Sequence, residues 1–130
     1  MRKYIYISLG GMIGAVLRMV LKNVHLWVYY GNIPTDTLFI NITGCFILAL
    51  FLTVAFEVLE IDVDIRLGIS TGLIGAYTTF STLCKETASL IVAGGYYSAI
   101  LYVTLSAILG LFAAYIGNVS GRKIITKLVR

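Results

Sequence analysis

Polar residues that interrupt apolar stretches of this chain are its candidates for chemistry. The densest group reads Gly72-Leu73-Ile74-Gly75-Ala76-Tyr77-Thr78-Thr79-Phe80-Ser81-Thr82. Glycine and hydroxyl or β-branched residues weaken a helix, because hydroxyl groups compete for backbone hydrogen bonds. A break here would free carbonyl groups, which commonly coordinate a cation. The pattern alone leaves a second interpretation open, an unbroken helix whose hydroxyls bond back to the preceding turn.

Neutral hydrogen-bond donors on two other apolar stretches could serve an anion. Asn41 lies near the start of one stretch, and a buried amide is costly unless it is bonded. On another stretch, Ser98, Tyr102 and Ser106 repeat every four residues and therefore share one helical face. All these side chains donate hydrogen bonds without carrying charge, which suits a dehydrated anion. Hydrogen bonding and packing between helices is the alternative for both sets.

Charged residues within or beside apolar stretches are Arg18, Lys85 and Glu86. Charges inside a membrane are typical of functional or paired sites. Lys85 can extend to the interface, whereas Arg18 and Glu86 are predicted to face a water-filled vestibule. The sequence contains no nucleophile–base pair and no phosphate-binding loop, so we do not expect an enzyme.

Four apolar stretches must position these residues, at about 4–21, 37–57, 66–92 and 96–119. A helix needs about 20 residues to cross the hydrocarbon core, and only a helix spans lipid as a single segment. The chain is 59% hydrophobic and 12% charged, as expected of such a protein. We therefore predict an all-α membrane protein with one four-span domain, 1–130, whose third helix is broken at mid-membrane near Gly75–Thr78.

The distribution of basic residues predicts an orientation. Seven lie on one side of the predicted spans, namely Arg2, Lys3, Arg66, Arg122, Lys123, Lys127 and Arg130. The other side has only Lys22, so both termini are predicted to be cytoplasmic. The net charge of +4 is too weak and scattered to indicate a nucleic-acid partner.

Glycines at helical spacing predict close contacts between the spans. They are Gly10 and Gly14, then Gly68, Gly72 and Gly75, then Gly110 and Gly117. Four helices of this length form a thin bundle with little interior, so we also expect the protein to be an oligomer.

Taken together, the motifs resemble the bacterial Fluc (CrcB) fluoride channels over essentially the whole chain. They are Gly10–Arg18, Thr37–Gly44 with the pattern T-L-x-x-N-x-x-G, Gly72–Thr82 followed by Glu86, and Tyr102, Ser106 and Gly110 at the family spacing. Each motif alone is modest, but four in the right spans and order are specific.

The resemblance implies a passive fluoride exporter in the plasma membrane of a bacterium, assembled as an inverted, dual-topology dimer with two pores. It implies a sodium ion at the dimer centre, held by the backbone carbonyls of Gly75 and Thr78. Phe80 would offer fluoride its electropositive ring edge. The pore residues carried over are Asn41, Phe80, Ser81, Thr82, Tyr102 and Ser106. Arg18 and Glu86 would lie in or near the aqueous vestibules.

This chain differs from the family pattern at one residue, and its charge bias does not fit an inverted dimer of identical subunits. The family usually has a second phenylalanine three residues after Phe80, where this chain has Leu83. A protein that pairs with its own inverted copy should have little charge bias, yet the bias here is strong. We therefore hypothesise a heterodimer with a homologous subunit of opposite orientation, and a homodimer stays open.

Two other functions compete with the channel interpretation. A small multidrug exporter also has four spans, but it needs a membrane carboxylate to exchange protons for cationic drugs. Glu86 is the only embedded acid here, and it follows Lys85 directly. A non-transporting membrane subunit is the third interpretation, and it predicts that Asn41 and Phe80 tolerate replacement by alanine.

Overall fold

Helices make up the regular structure of the computed structural model, which describes residues 1–23, 33–57 and 61–128. The elements are α1 (Arg2–Asn23), α2 (Thr35–Glu57), α3 (Val63–Leu67), a π-helix (Gly68–Ile74), α4 (Gly75–Tyr77), α5 (Phe80–Val92) and α6 (Tyr96–Leu128). Within these ranges α1, α2 and α6 are long and apolar enough to cross a membrane. The third predicted span consists of the shorter elements α3 to α5. The all-α, multi-pass prediction is confirmed.

The helix ends differ from the limits of the apolar stretches. Helix α6 continues to Leu128, well beyond the apolar stretch, and α1 begins at Arg2. Lysine and arginine are good helix formers, so Arg122 and Lys123 continue the helix after the apolar residues end. Arg130, which contributes to the predicted charge bias, lies outside the described residues.

The third segment is broken at Thr78 and Thr79. Their backbone is extended, with φ/ψ of −74°/158° and −149°/109°, while Gly75 is still helical. Two adjacent β-branched residues favour this extended backbone. The Thr79 side chain then begins α5, because its Oγ1 accepts a hydrogen bond from the Thr82 N–H at 3.2 Å. A broken third helix is confirmed, and the unbroken alternative is wrong.

Glycines bring α1 against the π-helix at backbone distance. A Cβ atom on Gly10 would lie 2.9 Å from the Leu73 nitrogen, and one on Gly72 would lie 3.0 Å from the Ile7 Cα. Such close approach is possible only without side chains. The glycine spacing predicts close helix contacts at these residues, but it predicts neither that α1 pairs with the third segment nor the wider π-helical winding of Gly68–Ile74.

Helix α6 packs along α2 and is joined to α5 by a tight turn. A Cβ atom on Gly117 would lie 3.1 Å from the Leu50 nitrogen, so these two helices also approach closely. Gly94 has a φ of +80°, and the N–H of Gly95 donates to the Leu90 carbonyl at 2.8 Å. This left-handed glycine ends α5 and reverses the chain into α6.

In the part of the chain that the structure describes, few side chains are fully buried, and they lie mainly where α2 meets α6. Tyr102, Ile40 and Thr37 are almost completely enclosed. Large apolar side chains such as Leu111 and Phe112 are instead exposed on the outside of the bundle. A surface of this kind faces lipid or another subunit, because water does not favour it.

Candidate functional site

Asn41 of α2 holds both backbone groups of Thr79 at the break. Its Oδ1 accepts a hydrogen bond from the Thr79 N–H at 2.8 Å. Its Nδ2 donates to the Thr79 carbonyl at 3.2 Å. Gly44, one turn further along α2, lies against the Thr78 side chain and so allows the helix to approach. One amide therefore satisfies two backbone groups that the break would otherwise leave without partners.

Two carbonyl groups at the break are candidates to hold a cation. No described residue donates a hydrogen bond to the Thr78 carbonyl. Among the described residues, the Gly75 carbonyl accepts only a long contact of 3.4 Å from the Thr78 hydroxyl, apart from any bond inside its own short helix. Gly75 is exposed, and a Cβ atom there would meet nothing closer than the Ser70 carbonyl at 3.7 Å. Carbonyl oxygens suit a hard cation such as sodium, so the residues present fit this ion.

A groove of about 400 Å³, which we call the break groove, opens beside these groups. It is lined by Asn41, Gly44, Cys45, Leu48, Thr78, Thr79, Phe80, Leu83, Val103, Ser106 and Ala107. Phe80 is 76% exposed, which is unusual for the first residue of a helix inside a bundle. Leu83, one turn later, lines the same groove.

Glu86 lies on α5, as Phe80 and Leu83 do, and accepts hydrogen bonds from α1, α2 and α6. The Tyr102 hydroxyl donates to Oε2 at 2.8 Å, and the Thr37 hydroxyl donates to Oε1 at 3.0 Å. The Lys22 ammonium group lies 3.2 Å from Oε1 and forms an ion pair with it. An embedded carboxylate requires such compensation, since an isolated charge is costly away from water.

A second cavity, which we call the Glu86 cavity, has a volume of about 490 Å³. It is lined by Lys22, Pro34, Thr82, Lys85, Glu86, Ser89 and Leu90. Thr79 of the break groove donates a hydrogen bond to Thr82 of this cavity, with 2.9 Å between their Oγ1 atoms. The two cavities are therefore linked through polar side chains at the start of α5.

The predicted site residues are distributed unevenly over these two cavities. Asn41, Phe80 and Ser106 line the break groove, while Thr82 and Glu86 line the Glu86 cavity. Ser81 is exposed, and its hydroxyl lies 3.3 Å from that of Thr79. Arg18 is half-buried on α1 and lines neither cavity. Their roles toward an ion stay predictions.

Two of the predicted anion donors direct their hydroxyl hydrogens at protein acceptors. Ser106 donates to the carbonyl of Tyr102 at 2.7 Å, and Tyr102 donates to Glu86. Either residue must exchange its present bond before it can donate to an anion, because a hydroxyl group has one hydrogen.

The sequence places Thr79 and Thr37 in motifs and Lys22 in the charge bias, but it does not predict the contacts of these three residues at the site. Thr79 caps α5, donates one hydrogen bond to Asn41 and accepts another from it, and links the two cavities. Thr37 and Lys22 bind Glu86 from α2 and from the end of α1. Two positions in the sequence are the available signals for these contacts. Lys22 lies one turn after Arg18, and Thr37 lies one turn before Asn41.

The protein is a helical bundle with apolar crossing segments, one broken segment and embedded polar cavities. These features define a multi-pass membrane protein. The chain belongs to the family described as CrcB-like protein, Camphor Resistance (CrcB), whose sequence model matches residues 5–118. The resemblance found from the motifs is thus confirmed at the level of the family.

Relatives of similar length share this family. The chain is 40% identical to "Fluoride-specific ion channel FluC" of Acidobacterium capsulatum, over 95% of this chain and 98% of the relative. It is 38% identical to the protein of that name from a Sulfurihydrogenibium species, over 94% and 98%. It is 39% identical to "Fluoride-specific ion channel FluC 1" of Bacillus anthracis, over 98% and 94%.

Proposed function

We propose that this chain is a subunit of a fluoride-selective channel in a bacterial plasma membrane, which lets fluoride leave the cytoplasm passively. It acts as a channel and not as an enzyme. The observation that carries the proposal is the placement of Asn41, Phe80 and Thr79 around one groove at a broken span. Membership of the family, and relatives named as fluoride-specific channels, support it.

The groove offers fluoride donors that carry no full charge. Fluoride is small and strongly hydrated, so a pore must replace its water with closely placed donors. The electropositive edge of Phe80 and the amide of Asn41 provide such contacts in the break groove. Ser81, Thr82, Tyr102 and Ser106 continue the polar route. Neutral donors bind loosely enough for the ion to leave, and the membrane potential drives an anion outward.

The channel is a dimer of inverted subunits. A thin bundle with Phe80, Gly75 and many apolar side chains exposed is incomplete as a pore, and a second subunit would cover these groups. The strong charge bias favours insertion with both termini in the cytoplasm. The partner in this arrangement is a homologous chain of opposite orientation. Relatives numbered FluC 1 and FluC 2 are consistent with such pairs.

A sodium ion at the dimer centre would be held by the backbone carbonyls of Gly75 and Thr78. When bound, the ion supplies fixed positive charge between the two pores. Gly75 is exposed, and Thr78 ends the helix so that its carbonyl leaves the helical bonding pattern. Arg18 and Glu86 belong to the aqueous vestibules at the ends of the route.

Deletion of the gene in the source bacterium tests the proposed function. We expect growth to fail on fluoride and to be unchanged on cationic dyes, because a channel for fluoride does not export organic cations. Complementation with Phe80→Leu should fail, since leucine has no electropositive edge. Phe112→Leu is the matched control, since Phe112 is also exposed but lines a separate apolar groove. Dye sensitivity without fluoride sensitivity would favour the exporter instead.

A further inference from the structure

The regular series of helical backbone hydrogen bonds in the third segment ends at one identifiable bond. The Thr78 N–H still donates to the Ile74 carbonyl at 3.0 Å, as in a regular α-helix. The next bond in that series would join the Thr79 N–H to the Gly75 carbonyl. The Thr79 N–H instead donates to Oδ1 of Asn41 at 2.8 Å. Asn41 therefore takes the hydrogen that a continued helix would give to Gly75.

We propose that Asn41 is a positioning residue for the cation site, because it keeps the Gly75 carbonyl free of its helical partner. This inference rests on the proposed sodium site, and it gives Asn41 a task separate from any contact with fluoride. Without the Asn41 acceptor, the Thr79 N–H would turn back toward Gly75. The Gly75 oxygen would then be shared between a backbone donor and the cation.

The chemistry of an amide explains why asparagine fits this position. Its oxygen accepts from the Thr79 N–H while its nitrogen donates to the Thr79 carbonyl, so the residue is held at two points. Aspartate can accept from the N–H but cannot donate to the carbonyl. Alanine can do neither. The backbone of α2 is fixed beside the break by the buried residues Thr37 and Ile40, so the amide needs little rearrangement.

Asn41 also connects the cation site with the pore. It lines the break groove together with Phe80, and its NH₂ group has a second hydrogen besides the one given to Thr79. A single side chain thus touches the fluoride route and sets the geometry of the cation ligands. Sodium binding and fluoride conduction should consequently both change when Asn41 is replaced by alanine.

The test measures thermal unfolding of the purified assembly in detergent while sodium replaces N-methylglucamine at constant ionic strength. For Asn41→Ala we expect the half-saturating sodium concentration to rise at least about tenfold, since the ligand carbonyl is no longer kept free. Ser106→Ala is the matched control. It removes a polar group from the same groove, but its hydroxyl bonds to Tyr102 and not to the break, so the sodium response should be unchanged.

A second measurement and a second variant keep the test decisive. Hydrogen–deuterium exchange of the peptide that contains Thr79 should stay as slow in Asn41→Ala as in Ser106→Ala, because the Thr79 N–H then bonds to the Gly75 carbonyl, and faster exchange would contradict this transfer. Asn41→Asp keeps an acceptor for the Thr79 N–H and should retain the sodium response, even where fluoride efflux falls because of its negative charge.

The possible outcomes separate this inference from the proposed function. A normal sodium response in Asn41→Ala, or a lost response in a folded Asn41→Asp, would overturn the positioning role and leave the channel proposal intact. Absence of any sodium response in the unsubstituted assembly would instead refute the sodium site, and the role of Asn41 would fail with it.

Discussion

At the scale of single residues, several embedded polar groups among the described residues are bonded to one another. Glu86 is surrounded by Tyr102, Thr37 and Lys22, which come from three different helices. These donors compensate the carboxylate, so an anion passing nearby meets less repulsion than the bare charge would produce. The sequence pointed to Glu86 and Tyr102 individually, but a single sequence does not reveal that they contact each other.

Replacement of Tyr102 by phenylalanine tests this compensation. The ring stays in its fully buried site, but Glu86 loses the donor to Oε2. We expect a loss of about 2 kcal/mol in the free energy of unfolding, as for hydrogen bonds to charged groups. Fluoride efflux from liposomes should fall as well. Tyr115→Phe, at an exposed position on α6, is the control and should change neither property. Equal behaviour of the two variants would contradict the compensating role.

Leu83 provides a gain-of-function prediction. It lines the break groove one turn after Phe80, so a phenylalanine there would add a second electropositive ring edge. We expect Leu83→Phe to raise fluoride efflux roughly fivefold, the equivalent of about 1 kcal/mol in the barrier. Leu83→Met, which keeps an apolar side chain of similar volume, should leave the rate unchanged. An unaltered rate in Leu83→Phe would show that this position does not contact the ion.

Asn41 illustrates what sequence reasoning leaves open at this scale. The sequence suggests either a donor for an anion or a bond between helices, and nothing in the spacing selects one. The structure shows the bond between elements, because both polar atoms of the amide reach Thr79. Its partner could not be inferred, since residues 38 positions apart meet only after α2 packs against the break.

At the scale of helices, apolar length and glycine spacing predict most of the arrangement. Together with the hydroxyl residues of the third segment, they indicate four membrane segments, a break near Gly75–Thr78 and close helix contacts at glycines, but not that α1 contacts the third segment. They do not indicate the π-helix, because its wider turn depends on how Gly68 and Gly72 pack against α1. They also miss the end of α6, because charged helix formers extend a helix without any apolar signal.

Adjacent glycines on α1 allow a matched test of this packing. A Cβ atom on Gly10 would collide with the π-helix backbone, 2.9 Å from the Leu73 nitrogen. One on Gly11 would meet nothing closer than 4.0 Å. We therefore expect Gly10→Ala to lower the free energy of unfolding by at least about 1–3 kcal/mol, which is the usual cost of overpacking. Gly11→Ala should be tolerated. Thermal unfolding in detergent measures both, and equal midpoints would show that α1 does not pack this closely.

At the scale of the whole molecule, charge and shape together imply a partner. The bundle exposes Phe80 and Gly75, which the proposed function requires to be covered by another subunit. The strong bias of basic residues opposes insertion in both directions, so the second subunit in our proposal is a homologous chain. The basic residues at the end of α6 contribute most to this bias.

Neutralising those residues tests the orientation. A reporter fused to the C-terminus, active on only one side of the membrane, should place the unsubstituted chain with its C-terminus inside. Replacing Arg122, Lys123 and Lys127 with glutamine should give mixed orientations, because basic residues beside a span set its direction. The double variant Lys123→Arg and Lys127→Arg keeps the charge and should behave as the unsubstituted chain. Mixed reporter activity without any substitution would contradict the fixed orientation and support a homodimer.

Fluoride and chloride efflux from liposomes tests the central claim most directly. The assembly is isolated from the source bacterium through a tag on this chain, so that any homologous partner is retained, and it is reconstituted with both anions inside. The account predicts rapid loss of fluoride with chloride retained, because the donors around Phe80 and Asn41 replace the water of the smaller ion. Liposomes that hold both anions, or that release them together, would contradict it.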